Sequence, residues 1–313
     1  MPQDLDIRLL RYYVVVAEEL HFSRAAQRLF IAQQALSRDI QRLENNLGMS
    51  LIKRTTRRVS LTSAGRKLLG RAREIVALHD LALQELANEN SPLTVDVVGQ
   101  GLTPTLILRR ARQLAPESEF FARFLTGAEE ATPLLLSGDL DVTFGRNPKL
   151  PSSLHQQIIR YERLSVLLPS THPLAELAEI SLETLRGQGL CFRAGDQATQ
   201  GWEHTALQLL AGLGIDAIDA HPHVQGVDEL AQHLHSRNAP ILTLSTQPEI
   251  PGGVYRPLID PVALFPWTMI WRRSADSDAV ATLLQAAKEV GAESDWLTVP
   301  QGAWLPQPER DQN

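Results

Sequence analysis

Five polar residues, Gln33, Gln34, Ser37, Arg38 and Arg42, recur at spacings of one, three and four, while Leu36, Ile40, Leu43 and Leu47 fall opposite them. On a helix this puts the polar set on one face and the leucines on the other. Amide side chains match the edge of adenine and a guanidinium matches the acceptor pair of guanine, so the polar face suits base reading in a major groove. A few residues on, Leu51–Leu61 reads as two short β-prone runs around a basic tip, with Lys53, Arg54, Arg57 and Arg58 crowded there. Cations on such a hairpin neutralise phosphates, adding affinity without sequence discrimination.

The elements that must position these groups are legible around them. Leu9, Tyr13, Val16 and Leu20 form one stripe of an amphipathic helix entered after Asp4 or Asp6. A second helix is expected behind Ser23 as N-cap, through Leu29, with Phe30-Ile31-Ala32 as the break. The third helix carries the polar face and stops at Gly48. Ala25 and Ala26 are small enough for the second and third helices to approach closely, as a helix-turn-helix requires. A small helical bundle with a charged rim fits each helix alone; three helices followed at once by a basic hairpin fit it poorly.

Charge follows the same division. Between His21 and Arg73 twelve Lys/Arg face only Asp39 and Glu44. Residues 1–90 hold fourteen basic and ten acidic side chains, net +4, and the chain total of −6 leaves −10 for the rest. A basic binding head on an acidic body and a solvated basic face without a partner both fit this excess.

From Thr62 to about Asn88 runs a proline-free helix with a heptad seam of Leu68, Ala72, Ile75, His79, Ala82 and Leu86. The seam can pair two copies or pack on its own chain; His79 reads as a tolerated polar seam residue. Asn88–Pro92 is a polar hinge. Beyond it strands alternate with helices: Leu93–Val98, a helix opened by Thr103 as N-cap and Pro104, Phe120–Leu125, helix Glu129–Leu136 and Asp141–Phe144. Leu164–Leu168, Leu190–Phe192, His223–Val227, Ile241–Leu244 and Trp267–Trp271 supply further strands, with helices over Gly201–Leu210, Asp228–Arg237 and Asp278–Val290. Two α/β lobes meeting at their strand ends leave a ligand crevice.

The stretch Glu19-Leu20-His21-Phe22-Ser23-Arg24-Ala25-Ala26-Gln27-Arg28-Leu29, with Gln33, Leu36-Ser37-Arg38, Ile40, Arg42-Leu43-Glu44, Leu47-Gly48, Leu51, Arg54 and Leu61–Gly65, resembles the head of LysR-type transcriptional regulators. Ala32 and Gln34 stand where that family usually has Ser and Pro, so the third helix lacks an N-cap side chain. Gly138–Val142, Gly145-Arg146, Glu162–Leu164 and His172–Leu174 resemble the family's effector domain, in texture nearest the branch controlling benzoate, catechol and muconate breakdown.

The resemblance implies an α+β multidomain chain. Its parts are a winged helix-turn-helix (1–61), a linker and dimerisation helix (62–90), and a two-lobed, periplasmic-binding-protein-like effector domain (91–313). Lobe I takes about 91–161 and 262–305, lobe II about 162–261. It implies a cytoplasmic bacterial regulator, dimer or dimer of dimers, acting on double-stranded promoter DNA and RNA polymerase under a small effector. Arg24 and Arg28 join the wing in holding phosphates. Gln100, Gly101, Leu102, Thr103, Thr126, Ala128, Arg146 and Trp202 are placed in the crevice. Helix-start N–H groups and Arg146 suit a carboxylate, but Gln100 and Ala128 replace the branch's two hydroxyl donors, which points to a different effector or a partly filled pocket. Arg146 fits ligand contact and a lobe-bridging ion pair equally.

Other chemistries are poorly supported. No run approaches the roughly 18 apolar residues of a membrane span, and Met1–Asp4 does not begin a secretory signal. His221, His223, His233 and His235 invite a metal-sensor reading, yet no Cys or acidic partner is identifiable, so no metal or other cofactor is expected. The single cysteine, Cys191, sits in an apolar strand as an inert core thiol. An enzyme with an appended head is the least favoured class: no P-loop, dinucleotide fingerprint, nucleophile elbow or zinc-protease motif is present.

Overall fold

The computed structural model describes residues 5–54, 59–87, 92–125, 127–215, 217–218, 222–272 and 277–307. Two compact units divide the chain, a head of Met1–Glu89 with Leu136–Gly138 and a body of Asn90–Leu135 and Asp139–Asn313.

In the head, α1 (Ile7–Glu19) starts at Asp6, whose carboxylate accepts the Arg8 N–H at 2.9 Å. Leu9, Tyr13 and Val16 are buried as the stripe predicts. Leu20 departs from it: it caps the helix in the left-handed region at φ 47 and is exposed. The second helix, α2 (Phe22–Arg28), is capped by His21 instead of Ser23; the His21 ring accepts the Arg24 N–H. The Ser23 hydroxyl is used elsewhere, donated to Gln33 Oε1 at 2.9 Å. The third helix, α3 (Gln33–Leu47), has no side-chain cap at Ala32 and ends on Gly48 at φ 65. Leu36, Ile40 and Leu43 are fully buried, each contributing about 1.5–3 kcal/mol relative to exposure.

The strands β1 (Ile52–Arg54) and β2 (Val59–Leu61) pair antiparallel, Ile52 opposite Leu61. Glu44, one of the two acids in the basic stretch, holds this hairpin to α3 by accepting the N–H groups of Leu51 and Ile52 at 2.7 and 3.0 Å. The linker helix α4 (Ser63–Ala87) begins tight against the same segment: a Cβ on Gly65 would collide with the Leu51 carbonyl, so only glycine fits. Leu68, Ala72 and Ile75 of the expected seam pack into the head's own core. Leu78 and Leu83 lie outside the seam and are exposed. A regular 3.6-residue helix drifts off a seven-residue repeat, so the apolar stripe that meets the head early does not continue through the same register later. His79 lies 3.3 Å from Asp80, which is ion-paired with Arg11.

In the body, β3 (Leu93–Asp96) is flanked by parallel β4 (Phe120–Arg123) and β5 (Val142–Gly145), with α5 (Thr103–Leu114) and α6 (Ala128–Ser137) as crossovers. The segment expected as Leu164–Leu168 is the end of a 16-residue strand, β6 (Leu154–Pro169), which runs from one lobe into the other. Lobe II adds β7 (Ile180–Ser181), β8 (Leu190–Cys191), α7 (Gln200–Leu213), β9 (Ala217–Ile218), α8 (Val227–Arg237), β10 (Ile241–Leu244) and β11 (Gly253–Ile259). The chain returns on β12 (Leu264–Arg272), antiparallel to β5 and β6, and closes with α9 (Asp278–Ala292) against lobe I. One strand order, β4-β3-β5-β12-β6-β10-β8-β9, therefore runs through both lobes. No strand forms over His223–Val227; Val224 makes a single bridge to Ala194. Thr103 is the first helical residue of α5 and Leu102 holds the cap position; the Thr103 hydroxyl donates to Glu162 and accepts from Arg160.

Candidate functional site

The polar side of α3 is built by its own periodicity and held by the leucine side and Glu44. Gln33, Gln34, Arg38 and Arg42 are exposed and Ser37 is half-buried. Gln34, Arg38 and Arg42 make no intramolecular hydrogen bond or ion pair among the described residues, so their polar groups remain available to a partner. Gln33 is oriented through Ser23. Gln41 and Asn45 continue the same exposed face, and Phe30, 95% exposed at φ 56, stands just before it. The sequence marks Phe30 only as a helix break; its exposure is a tertiary outcome. Lys53 is exposed on β1, Arg54 ends that strand, and Arg57 and Arg58 lie outside the described residues.

Arg24 and Arg28 differ from Arg38. Arg24 Nε lies 3.2 Å from Glu19 and Arg28 Nη1 2.9 Å from Glu18, so both sequence-predicted phosphate contacts already have carboxylate partners.

Between the lobes the expected crevice residues are dispersed. Gln100 is exposed, Leu102, Thr103 and Ala128 are buried, and Thr126 lies outside the described residues. Trp202 sits in the core, its indole N–H donated to the Phe192 carbonyl at 2.9 Å and its ring against Phe265. Arg146 bridges the lobes: it donates to Thr205 on α7 at 3.0 Å and to the Gln307 carbonyl at 2.6 Å. The crevice walls abut. A Cβ on Gly99 would collide with Asp196, one on Gly127 would lie 2.7 Å from Thr199 Cβ, and Gly101 faces Pro248.

A polar cluster at the lobe crossing centres on Glu162, a residue that the sequence singles out only within the stretch resembling the family's effector domain. Buried Glu162 on β6 accepts Thr103 Oγ1 at 2.7 Å, Trp267 Nε1 at 2.6 Å, Ser245 Oγ at 3.0 Å and the Thr246 N–H at 2.5 Å. Arg160, over the Trp296 ring at 4.5 Å, lies 3.4 Å from the same carboxylate. These donors offset the cost of burying its charge. Arg160 also borders a cavity of about 260 Å³, while one of about 570 Å³ lies along α9.

The histidines scatter. His223 pairs with Glu203, His233 lies 3.9 Å from the buried Cys191 thiol, and His221 lies outside the described residues. Burial pushes that thiol above its ordinary pKa. Among the described residues no three His, Cys, Asp or Glu side chains gather as a metal site, and no helix is long and apolar enough to cross a membrane.

A winged helix-turn-helix with a two-lobed α/β body defines a class of ligand-modulated regulators. Residues 7–66 match the bacterial regulatory helix-turn-helix protein model of the lysR family, and residues 93–292 match the LysR substrate binding domain. The chain belongs to the LysR family of transcription regulators. Its relatives include the HTH-type transcriptional regulator YnfL of Escherichia coli K12, 36% identical over 60% of this chain and 66% of that one. AlsR of Bacillus subtilis 168 is 33% identical over 59% and 63%. The match thus spans just under two thirds of those relatives' length. BenM of Acinetobacter baylyi is 26% identical over 95% of this chain and 99% of its own.

Among solved structures, a full-length BenM variant superposes with a TM-score of 0.57 at 25% identity, covering 95% and 99% of the two chains. CbnR in complex with its target DNA shares the fold, with a TM-score of 0.54 at 22% identity over 91% and 99%.

Proposed function

We propose that this chain is a promoter-binding regulator whose α3 enters the major groove of double-stranded DNA. Gln33, Gln34, Ser37 and Arg38 face base edges. Arg42, Lys53, Arg54, Arg57 and Arg58 hold phosphates, with Arg24 and Arg28 at the flank. The carrying observation is the exposed row Gln34, Arg38, Arg42, without an internal partner among the described residues, on a helix whose Leu36, Ile40 and Leu43 are fully buried. CbnR, of the same fold, is solved on its target DNA.

The domains divide at about residues 61 and 90. Two copies pair through α4, where exposed Leu78 and Leu83 supply the apolar surface, and two heads then meet half-sites one DNA turn apart. A small effector, a carboxylate or aromatic-pathway metabolite, enters between the lobes and changes RNA polymerase recruitment in the cytoplasm. A different effector class is favoured by the cleft itself, where Gln100 and Ala128 replace hydroxyl donors and Asp196 abuts Gly99.

The test is fluorescence anisotropy of the full-length protein on its own upstream region and on a shuffled duplex of equal length. Preference for the former supports the reading, and equal affinity for both ends it. Thermal-shift screening with small carboxylates then reports on the cleft, a bound ligand raising the melting temperature.

A further inference from the structure

Glu18 and Glu19 form an acidic pair at the end of α1 facing three cations. Arg24 binds Glu19 through Nε at 3.2 Å and through Nη2 to the Glu19 backbone carbonyl at 2.6 Å. Arg28 Nη1 lies 2.9 Å from Glu18 and 3.4 Å from Glu19, and Arg73 of α4 lies 3.0 Å from the other Glu18 oxygen. The arrangement is local and partly exposed, Arg24 at 61% and Arg28 at 53%. Arg24 follows Ser23, whose hydroxyl bonds Gln33 at the first turn of the reading helix, so these arginines stand beside the polar face.

We infer that Glu18 and Glu19 are specificity determinants: they hold Arg24 and Arg28 away from phosphate and keep non-specific DNA binding weak. This rests on the DNA-binding reading above. In a helix-turn-helix the helix before the reading helix crosses the phosphate backbone. An arginine that must leave a carboxylate to meet a phosphate brings that carboxylate within a Debye length of the DNA, which cancels part of the attraction. Exposed ion pairs are individually weak, so the exchange happens when base contacts by α3 seat the head closely. On a sequence without those contacts the arginines stay with their glutamates. Arg38 carries no such restraint among the described residues, so the head offers its base-reading cation freely and these phosphate-binding ones conditionally.

The test compares wild type, Glu19→Gln, Glu18→Gln/Glu19→Gln and Glu19→Asp with Glu74→Gln, a charge-matched control that breaks only the Arg71–Glu74 pair. Each full-length protein is titrated on its upstream fragment and on a shuffled duplex across about 50–200 mM salt. Glu19→Gln should tighten shuffled-duplex binding roughly three- to ten-fold and steepen the logarithmic salt slope by about 0.9 for each phosphate newly met. Discrimination between the two fragments should fall. Glu19→Asp should keep the wild-type slope, and Glu74→Gln should leave discrimination unchanged.

Equal shifts for Glu19→Gln and Glu74→Gln would reduce the effect to long-range charge and overturn the inference, as would an unchanged slope. If the double variant fails to fold, Glu19→Gln carries the test alone, since it leaves the Glu18 pairs with Arg28 and Arg73 in place. Absence of any fragment preference in the wild type sinks the DNA-binding reading itself, a result distinct from an unchanged Glu19→Gln.

Discussion

Glu44 Oε1 accepts the backbone N–H of Leu51 at 2.7 Å, and through this bond the reading helix fixes the start of the wing. The same oxygen also takes the Ile52 N–H. Glu44→Ala leaves two part-buried donors unpaired and should cost about 1–3 kcal/mol of head stability. Affinity should fall alike on specific and shuffled DNA, because what moves is Lys53 and its neighbours rather than the base-reading row. Thermal melts paired with anisotropy check both parts; lost discrimination with an intact melt would contradict the assignment.

Tyr13 donates its hydroxyl to the Gly65 carbonyl at 2.7 Å inside the head core. Burial pushes this phenol from 10 up to about 12, with the Glu44 charge adding to the effect. In the unfolded chain the phenol loses its proton near pH 10 while the folded one keeps it. Stability is therefore unaffected below about pH 10 and falls as pH rises from there toward 12. Tyr13→Phe should cost about 0.5–1.5 kcal/mol at neutral pH through loss of the buried hydroxyl–carbonyl hydrogen bond, and should flatten the alkaline loss. Melting curves from pH 8 to pH 11 would show it; an unchanged alkaline limb in Tyr13→Phe would refute it.

Much of this was legible in residue order. The leucine row of α3 and the glycine at its end are consequences of helical period and left-handed capping, both local. Ser23 and Thr103 are where local reasoning failed: each has the chemistry of a cap, but each lies inside its helix, with His21 and Leu102 at the cap positions, and its hydroxyl donates to Gln33 or Glu162. The early part of β6 was hidden because Gln156, Gln157, Arg160 and Glu162 break the apolar run, and only the antiparallel partner β12 makes it a strand. The closure of the cleft rests on glycines meeting residues 50 or more positions away, which no spacing reveals.

Gly127 offers a direct probe of that closure. It adopts φ +103, and a Cβ there would lie 2.7 Å from Thr199 Cβ across the crevice. Gly127→Ala should cost about 1–3 kcal/mol from backbone strain and a further penalty from the collision with Thr199, lowering the melting temperature of the body by several degrees. Binding of the head to shuffled DNA should be unaffected. A wild-type melt for Gly127→Ala would show that the lobes do not meet at this point.

The central claim is that the exposed row on α3 reads bases. Arg38→Ala, assayed by anisotropy on the upstream fragment, on single-base variants of its bound site and on a shuffled duplex, tests it most directly. Arg38→Ala should lose about 1–3 kcal/mol on the native site with relaxed preference at one base pair, and change much less on the shuffled duplex. Equal losses on native and shuffled DNA, or no loss on either, would contradict it.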